Sequence, residues 1–162
     1  MKLEWMGKHR DVVEALIYYC NVYASSYKLE ALKYGDVTFS FAQVQVIEYL
    51  LENEERDENM SAIAARLGIT RSNFTKIVNR LVKKGLLEKL PMPGSHKEMK
   101  VTVNALGREL YGAYSQKILR CHFSPMFSCL DRIPEEYYPD IRNALVMAIR
   151  GERGEGERPS GG

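Results

Sequence analysis

Residues 60–85 read MSAIAARLGITRSNFTKIVNRLVKKG, and this stretch decides the fold. Asn59, just ahead of it, can cap a short helix that sets Ile63 and Leu67 on one face. That helix stops at Gly68, a residue suited to the left-handed position after a helix C-terminus. Thr70 can cap a second helix that runs to about residue 84 and ends at Gly85, with Phe74, Ile77, Val78, Leu81 and Val82 as its apolar stripe. Two short helices joined by a glycine-containing turn form a helix-turn-helix, whose second helix fits the major groove of DNA. Ala64 is small where the two helices would approach most closely, and Ile69 can fill the angle between them.

The opposite face of the second helix carries Arg71, Ser72, Asn73, Lys76, Asn79, Arg80 and Lys83. These are the residue types that groove reading requires. Arginine can donate two bonds to guanine, asparagine can pair with adenine, and serine and lysine serve bases or phosphates. No carboxylate interrupts the chain from Arg71 to Leu87. A solvated helix face would explain any one of these residues, but explains the whole set less well.

Working outward, the hydrophobic period changes after Gly85. Residues 86–90 and 97–103 read as two short strands joined by PMPGSH, a segment whose prolines and glycine favour a turn. The hairpin is a wing, from which His96, Lys97 and Lys100 can reach a phosphate or the minor groove. Lys89 flanks the strand. Upstream, residues 39–52 predict a helix capped by Ser40, and residues 8–33 predict one long helix stopping at Gly35. Downstream, Asn104 caps a helix ALGRELYGAYSQKILRCHF that should break at Pro125, and Pro134 opens a last helix reaching about residue 150. The fold class is mainly α with a small β-hairpin wing. The expected organisation is an N-terminal helix (1–35), a winged helix-turn-helix (36–104), C-terminal helices (105–150) and a disordered tail, GERGEGERPSGG (151–162), with no apolar residue to order it.

Composition limits the alternatives. A chain of 162 residues makes one compact domain, or a small domain with appended helices. No apolar run approaches the roughly 20 residues that span a bilayer, and the N-terminus interleaves charge with apolar residues, unlike a secretory signal. Three cysteines at irregular spacing (Cys20, Cys121, Cys129) fit a reducing, cytoplasmic setting better than a disulfide framework. Cys121, His122 and Cys129 match no tetrahedral zinc spacing, so neither a metal nor another cofactor is expected. The sequence has no phosphate loop, nucleophile elbow or paired catalytic motif, so it does not read as an enzyme. Net charge is only +2, yet residues 60–100 hold nine Lys or Arg against Glu88 and Glu98, a local +7, leaving −5 on the rest. A basic block beside an acidic loop (Glu52, Glu54, Glu55, Asp57, Glu58) is the footprint of a polyanion-binding face.

The stretches SAIAARLGITRSNFTKIVNRLVKKGLLEKL and KVTVNALGREL resemble the MarR family of bacterial regulators, and the likeness spans residues 39–110. Ile63, Ala64, Leu67, Thr70, Val78, Leu81, the run Lys84, Gly85, Leu86, Leu87, and Gly107 fall where that family's pattern places them. The resemblance implies a DNA-binding transcriptional repressor. It implies a homodimer whose first and last helices interlock, and a pseudo-palindromic operator with half-sites about one helical turn apart. Release by a small molecule or by oxidation is implied as well. The family's wing usually carries an Asp-x-Arg pair, for which this chain has Ser95 and Lys97, and lysine lacks the planar fork of arginine. Aromatic acids are favoured effectors in the family. Tyr19, Tyr23 and Tyr27 can line a pocket for a small aromatic effector, or belong to the core. Cys20 sits where some members sense peroxide, though a buried structural cysteine is the plainer reading. The rival to DNA binding is a winged helix used for protein contact, because fold does not fix function.

Overall fold

The computed structural model describes residues 4–95 and 97–155, and the side chains of Glu4, Cys121, His122 and residues 150–155 lie outside that description, as do His96 and residues 156–162. The chain forms two compact units that divide between Ser115 and Gln116.

The first unit opens with a 3₁₀ stretch, Glu4–His9, and helix α1, Arg10–Ser26. Strands β1 (Leu32–Tyr34) and β2 (Val37–Phe39) pair antiparallel, with Tyr34 opposite Val37. The single long helix expected over residues 8–33 therefore ends at Ser26. Gly35, at φ 56, closes a two-residue hairpin turn, and Leu32 pairs with Phe39, which is 1% exposed. The helical spacing of apolar residues ends at Tyr27, and the chain beyond it forms the hairpin that buries Phe39.

Helix α2 (Phe41–Glu52) starts with a capping box: Ser40 Oγ accepts from Gln43 N, and Gln43 Oε1 accepts from Ser40 N. Helices α3 (Met60–Arg66) and α4 (Arg71–Lys83) follow, capped by Asn59 and Thr70 side chains as the sequence predicts. Both end in the same device. Gly68 N and Ile69 N bond back to Ala65 O and Ala64 O, and Gly85 N and Leu86 N to Val82 O and Leu81 O. The two glycines, at φ 69 and 72, occupy the left-handed position that this closure needs. The turn of the helix-turn-helix is thus held by local backbone hydrogen bonds.

Strands β3 (Leu87–Pro91) and β4 (Met99–Val103) pair antiparallel from Leu87 opposite Val103 to Pro91 opposite Met99. Helix α5 (Ala105–Ile118) closes the lobe. Ile47, Phe74, Val78, Leu81, Leu86 and Leu110 are sealed at its centre. Gly107 sits so close to the turn after α4 that a Cβ there would lie 2.4 Å from Leu86 O. Asn104 fastens the same corner, its Nδ2 donating to Gly85 O at 2.6 Å and its Oδ1 accepting from Gly107 N at 2.9 Å.

In the second unit, a π-helical turn, Leu119–Phe123, leads into α6 (Ser124–Leu130), and Pro125 lies in the first turn of α6 instead of breaking the helical run. A 3₁₀ turn, Glu135–Tyr137, opens α7, Tyr138–Glu155. The first five residues of the expected tail are helical and continue α7. The rest of that tail lies outside the described residues. Among the described residues, no helix is long and apolar enough to cross a membrane.

Candidate nucleic-acid interface

Helix α4 divides cleanly. Phe74, Ile77, Val78 and Leu81 are buried, while Arg71, Ser72, Lys76, Asn79, Arg80 and Lys83 are exposed and Asn73 is half-buried. Seven of the residues singled out from sequence thus lie on one helix, six of them open to solvent. The amphipathic spacing makes this outcome local: apolar side chains at i, i+3, i+4 and i+7 leave the polar ones no route into the core.

Neighbouring elements orient two of these side chains. Arg71 donates from its guanidinium to Ser61 Oγ on α3. Asn79 Oδ1 accepts from Lys89 Nζ on β3 at 2.5 Å. Asn79 Oδ1 keeps a second lone pair and the amide keeps its two N–H donors, so the Lys89 contact orients this side chain while leaving it both donor and acceptor capacity. Lys89 and Ser61 belong to the site for this reason. Lys89 read as a mere strand flank in the sequence, and no pattern in it announces that β3 passes beside Asn79.

In the wing, Ser95 Oγ accepts from the backbone N–H groups of Lys97 and Glu98 at 3.3 and 3.1 Å, which fixes the loop that carries the exposed Lys97. Lys100 is placed differently from the expectation. Its ammonium pairs with Asp57 Oδ1 at 2.7 Å and points to the acidic loop, because β4 alternates and residue 100 faces that side. Asn59 Nδ2 donates to Glu98 Oε1 at 3.1 Å, which ties the wing to the cap of α3. The acidic loop is further held by Arg108 to Glu54 and by Arg66 to Glu58 at 2.6 Å. Tyr49 donates to Glu58 Oε2 at 2.6 Å, and this bond, followed by the Arg66 charge, holds the Glu58 carboxyl below its ordinary range. His96 lies outside the described residues.

Tyr19, Tyr23 and Tyr27 form a row along α1, with ring centroids 5.8 and 5.2 Å apart, that continues to Phe41 and Tyr114. Burial, then the neighbouring Tyr27, Tyr19 and Glu48, pushes the Tyr23 hydroxyl up to about 12. A cavity of about 150 Å³ lies elsewhere, lined by Tyr49, Leu50, Ile63, Val101 and Val103 among others, and by none of the three tyrosines. Cys20 is exposed, not buried, because α1 buries no residue within this chain.

The architecture defines a winged helix-turn-helix protein: α3, the turn at Gly68, α4 as the presented helix, and the β3–β4 hairpin beside it. Residues 36–98 match the sequence model of the MarR family. No curated protein sequence matches the chain. Among solved structures, BldR from Sulfolobus solfataricus is similar over 88% of this chain and 99% of its own, at 19% identity and a TM-score of 0.62. The S. aureus MepR–DNA complex is similar over 86% and 93%, at 18% identity and a TM-score of 0.61. PcaV from Streptomyces coelicolor, in complex with its natural ligand, covers 97% and 99%, at 16% identity and a TM-score of 0.56. At these identities the likeness is one of fold.

Proposed function

We propose that this chain is a DNA-binding transcriptional regulator, a repressor that holds a pseudo-palindromic operator as a homodimer and leaves it when a small molecule binds. One observation carries the reading: the outer face of α4 exposes Arg71, Ser72, Lys76, Asn79, Arg80 and Lys83 with no carboxylate on the helix, and the wing holds Lys97 exposed beside it. Such a helix supplies major-groove donors, and the wing supplies a phosphate or minor-groove contact. The family match supports the assignment, and MepR was solved with DNA in the same fold. A second copy is the natural cover for α1, whose Val12, Ile17, Tyr18 and Val22 are apolar and exposed. The tyrosine row is our choice for the effector contact, because PcaV, of the same fold, holds a natural ligand.

The test is binding to DNA upstream of the chain's own coding region against a shuffled competitor, across a salt series, by fluorescence anisotropy. Salt-steep binding that prefers the native fragment, with two chains per site, is expected, and joint neutralisation of Lys76, Arg80 and Lys83 should abolish it. Weak, equal binding to both fragments would favour the protein-contact alternative. Within a bound complex, Arg71→Ala should relax preference at one operator position at a cost of about 1–3 kcal/mol, whereas Lys97→Ala should weaken all sequences alike. Equal losses on every sequence from both variants would contradict this division of roles.

A further inference from the structure

Helix α4 ends at Lys84, whose backbone N–H closes the helix on Arg80 O and Val82 O. An ammonium has three N–H donors, and Lys84 places each of them: on Glu30 Oε1 at 2.8 Å, on Thr38 O at 2.5 Å and on Gln43 Oε1 at 3.2 Å. Gln43, only 2% exposed, returns its Nε2 to the same Glu30 oxygen at 2.9 Å. Thr38 Oγ1 meets the other oxygen of Glu30 at 3.3 Å. The end of α4, strand β2, the start of α2 and the linker leaving α1 therefore meet in one polar knot.

Lys84 and Glu30 are only partly shielded from water, and a satisfied network of this kind rigidifies what it joins. The knot also connects to α1. Tyr27, the C-cap of α1, accepts from Ala42 N at 3.1 Å, and its hydroxyl bonds Gln45 of α2. Hydrogen bonds on either side of α2 thus link the exit of α1 to the end of α4 through that helix. Nothing in the DNA-facing residues requires this arrangement, since Glu30 and Gln43 lie on other elements.

We propose that Glu30, Gln43 and Lys84 are positioning residues that fix the end of α4 against the exit of α1, and so set the half-site spacing the protein accepts. The inference rests on the DNA-binding and dimer reading above. In a dimer joined through α1, the angle between α1 and α4 within each chain sets the distance between the two reading helices, and an operator of the wrong spacing can engage only one of them. A phosphate contact by Lys84 is a different explanation with different consequences: losing it would lower affinity on every sequence and reduce the salt slope by about one.

The experiment selects an operator from a random duplex library with the full-length wild-type protein. Affinities are then measured for that operator, for versions with one base pair added or removed at its centre, and for a single half-site. The variants are Lys84→Met, Glu30→Ala and the conservative Glu30→Gln, each first checked for a cooperative melt. Wild type should prefer the native spacing by about tenfold or more, the scale of loss when one half-site is misplaced. Glu30→Ala and Lys84→Met should cut that preference to about threefold or less while half-site affinity and salt slope stay nearly constant, and Glu30→Gln should retain most of it. Glu30→Ala alone decides the matter if Lys84→Met does not fold. Full spacing preference in folded Glu30→Ala, or tighter binding to all sequences with no change in that preference, would overturn the inference and leave the DNA reading intact. Failure of the wild type to select any sequence would overturn both.

Discussion

Helices α1 and α4 are both amphipathic, and they differ in what they bury. In α4 the apolar stripe is sealed, with Phe74 and Val78 at 0% exposure, and the charged face is open. In α1 no residue is buried, and Tyr18 stands 72% exposed beside Val12, Ile17 and Val22. A buried stripe stabilises the chain that contains it, at about 1.5–3 kcal/mol for each large apolar side chain. An exposed stripe contributes little until another surface covers it. The lobe is therefore stable through its own contacts, whereas the exposed stripe of α1 adds little stability within one chain.

The largest expected effect tests that division directly. Phe74→Ala should cost about 3–5 kcal/mol in denaturant unfolding, at every protein concentration. Ile17→Asp should leave a dilute, single-chain sample nearly unchanged and remove only the part of the melting temperature that rises with concentration. An equally large loss from Ile17→Asp in the single-chain regime would break the comparison. Gly107→Ala comes next, because its Cβ would press on Leu86 O and on Val103 Cγ1 at 2.4 and 2.7 Å. A loss of about 1–3 kcal/mol is expected from such overpacking. Gly112→Ala, on the same helix in open space, should instead be neutral or gain about 0.5–1 kcal/mol. Similar results at both positions would deny that the corner of α5 is tightly packed.

The smallest effect concerns acid. The Lys84 bond, followed by that from Gln43, holds the Glu30 carboxyl below the ordinary 4.5, and the Tyr49 hydroxyl does so for Glu58. Because both folded values lie under the unfolded one, their stabilisation is complete above about pH 4.5 and is lost as pH falls through the lowered folded values. Both groups are partly open to solvent, so the loss should be slight. A melting series at falling pH should show a decline that Glu30→Gln reduces; an identical decline in the variant would mean the knot is not what acid releases.

Much of the lobe is legible in the sequence because its signals are local. Asn59, Thr70 and Ser40 cap the helices they precede, and Gly68 and Gly85 end the ones they follow, through bonds spanning only a few residues. The exposed face of α4 was equally readable from its period. Residues 27–39 were not, since the apolar residues from Val12 to Tyr27 run at helical spacing and no glycine or proline follows before Gly35, so only the pairing of Leu32 with Phe39 across that glycine decides. Contacts between distant segments were also hidden. Lys84 meets Glu30 across 54 residues, and Lys100 meets Asp57 across 43, so no window of sequence contains both partners. The exposure of Cys20 escaped notice for a related reason: helical spacing says which residues share a face, but not whether the chain itself supplies a cover for it.

The bonds from Asn104 to Gly85 and from Gly107 to Asn104 do more than begin α5. They tie together the two feet of the wing at its root, so the outer part of the hairpin hangs from a closed base. A change in tip length is then felt mainly as loop entropy, growing by only about 0.6 kcal/mol for each doubling. The reach of this hairpin is a quantity that can drift or be engineered while α4 stays where it is.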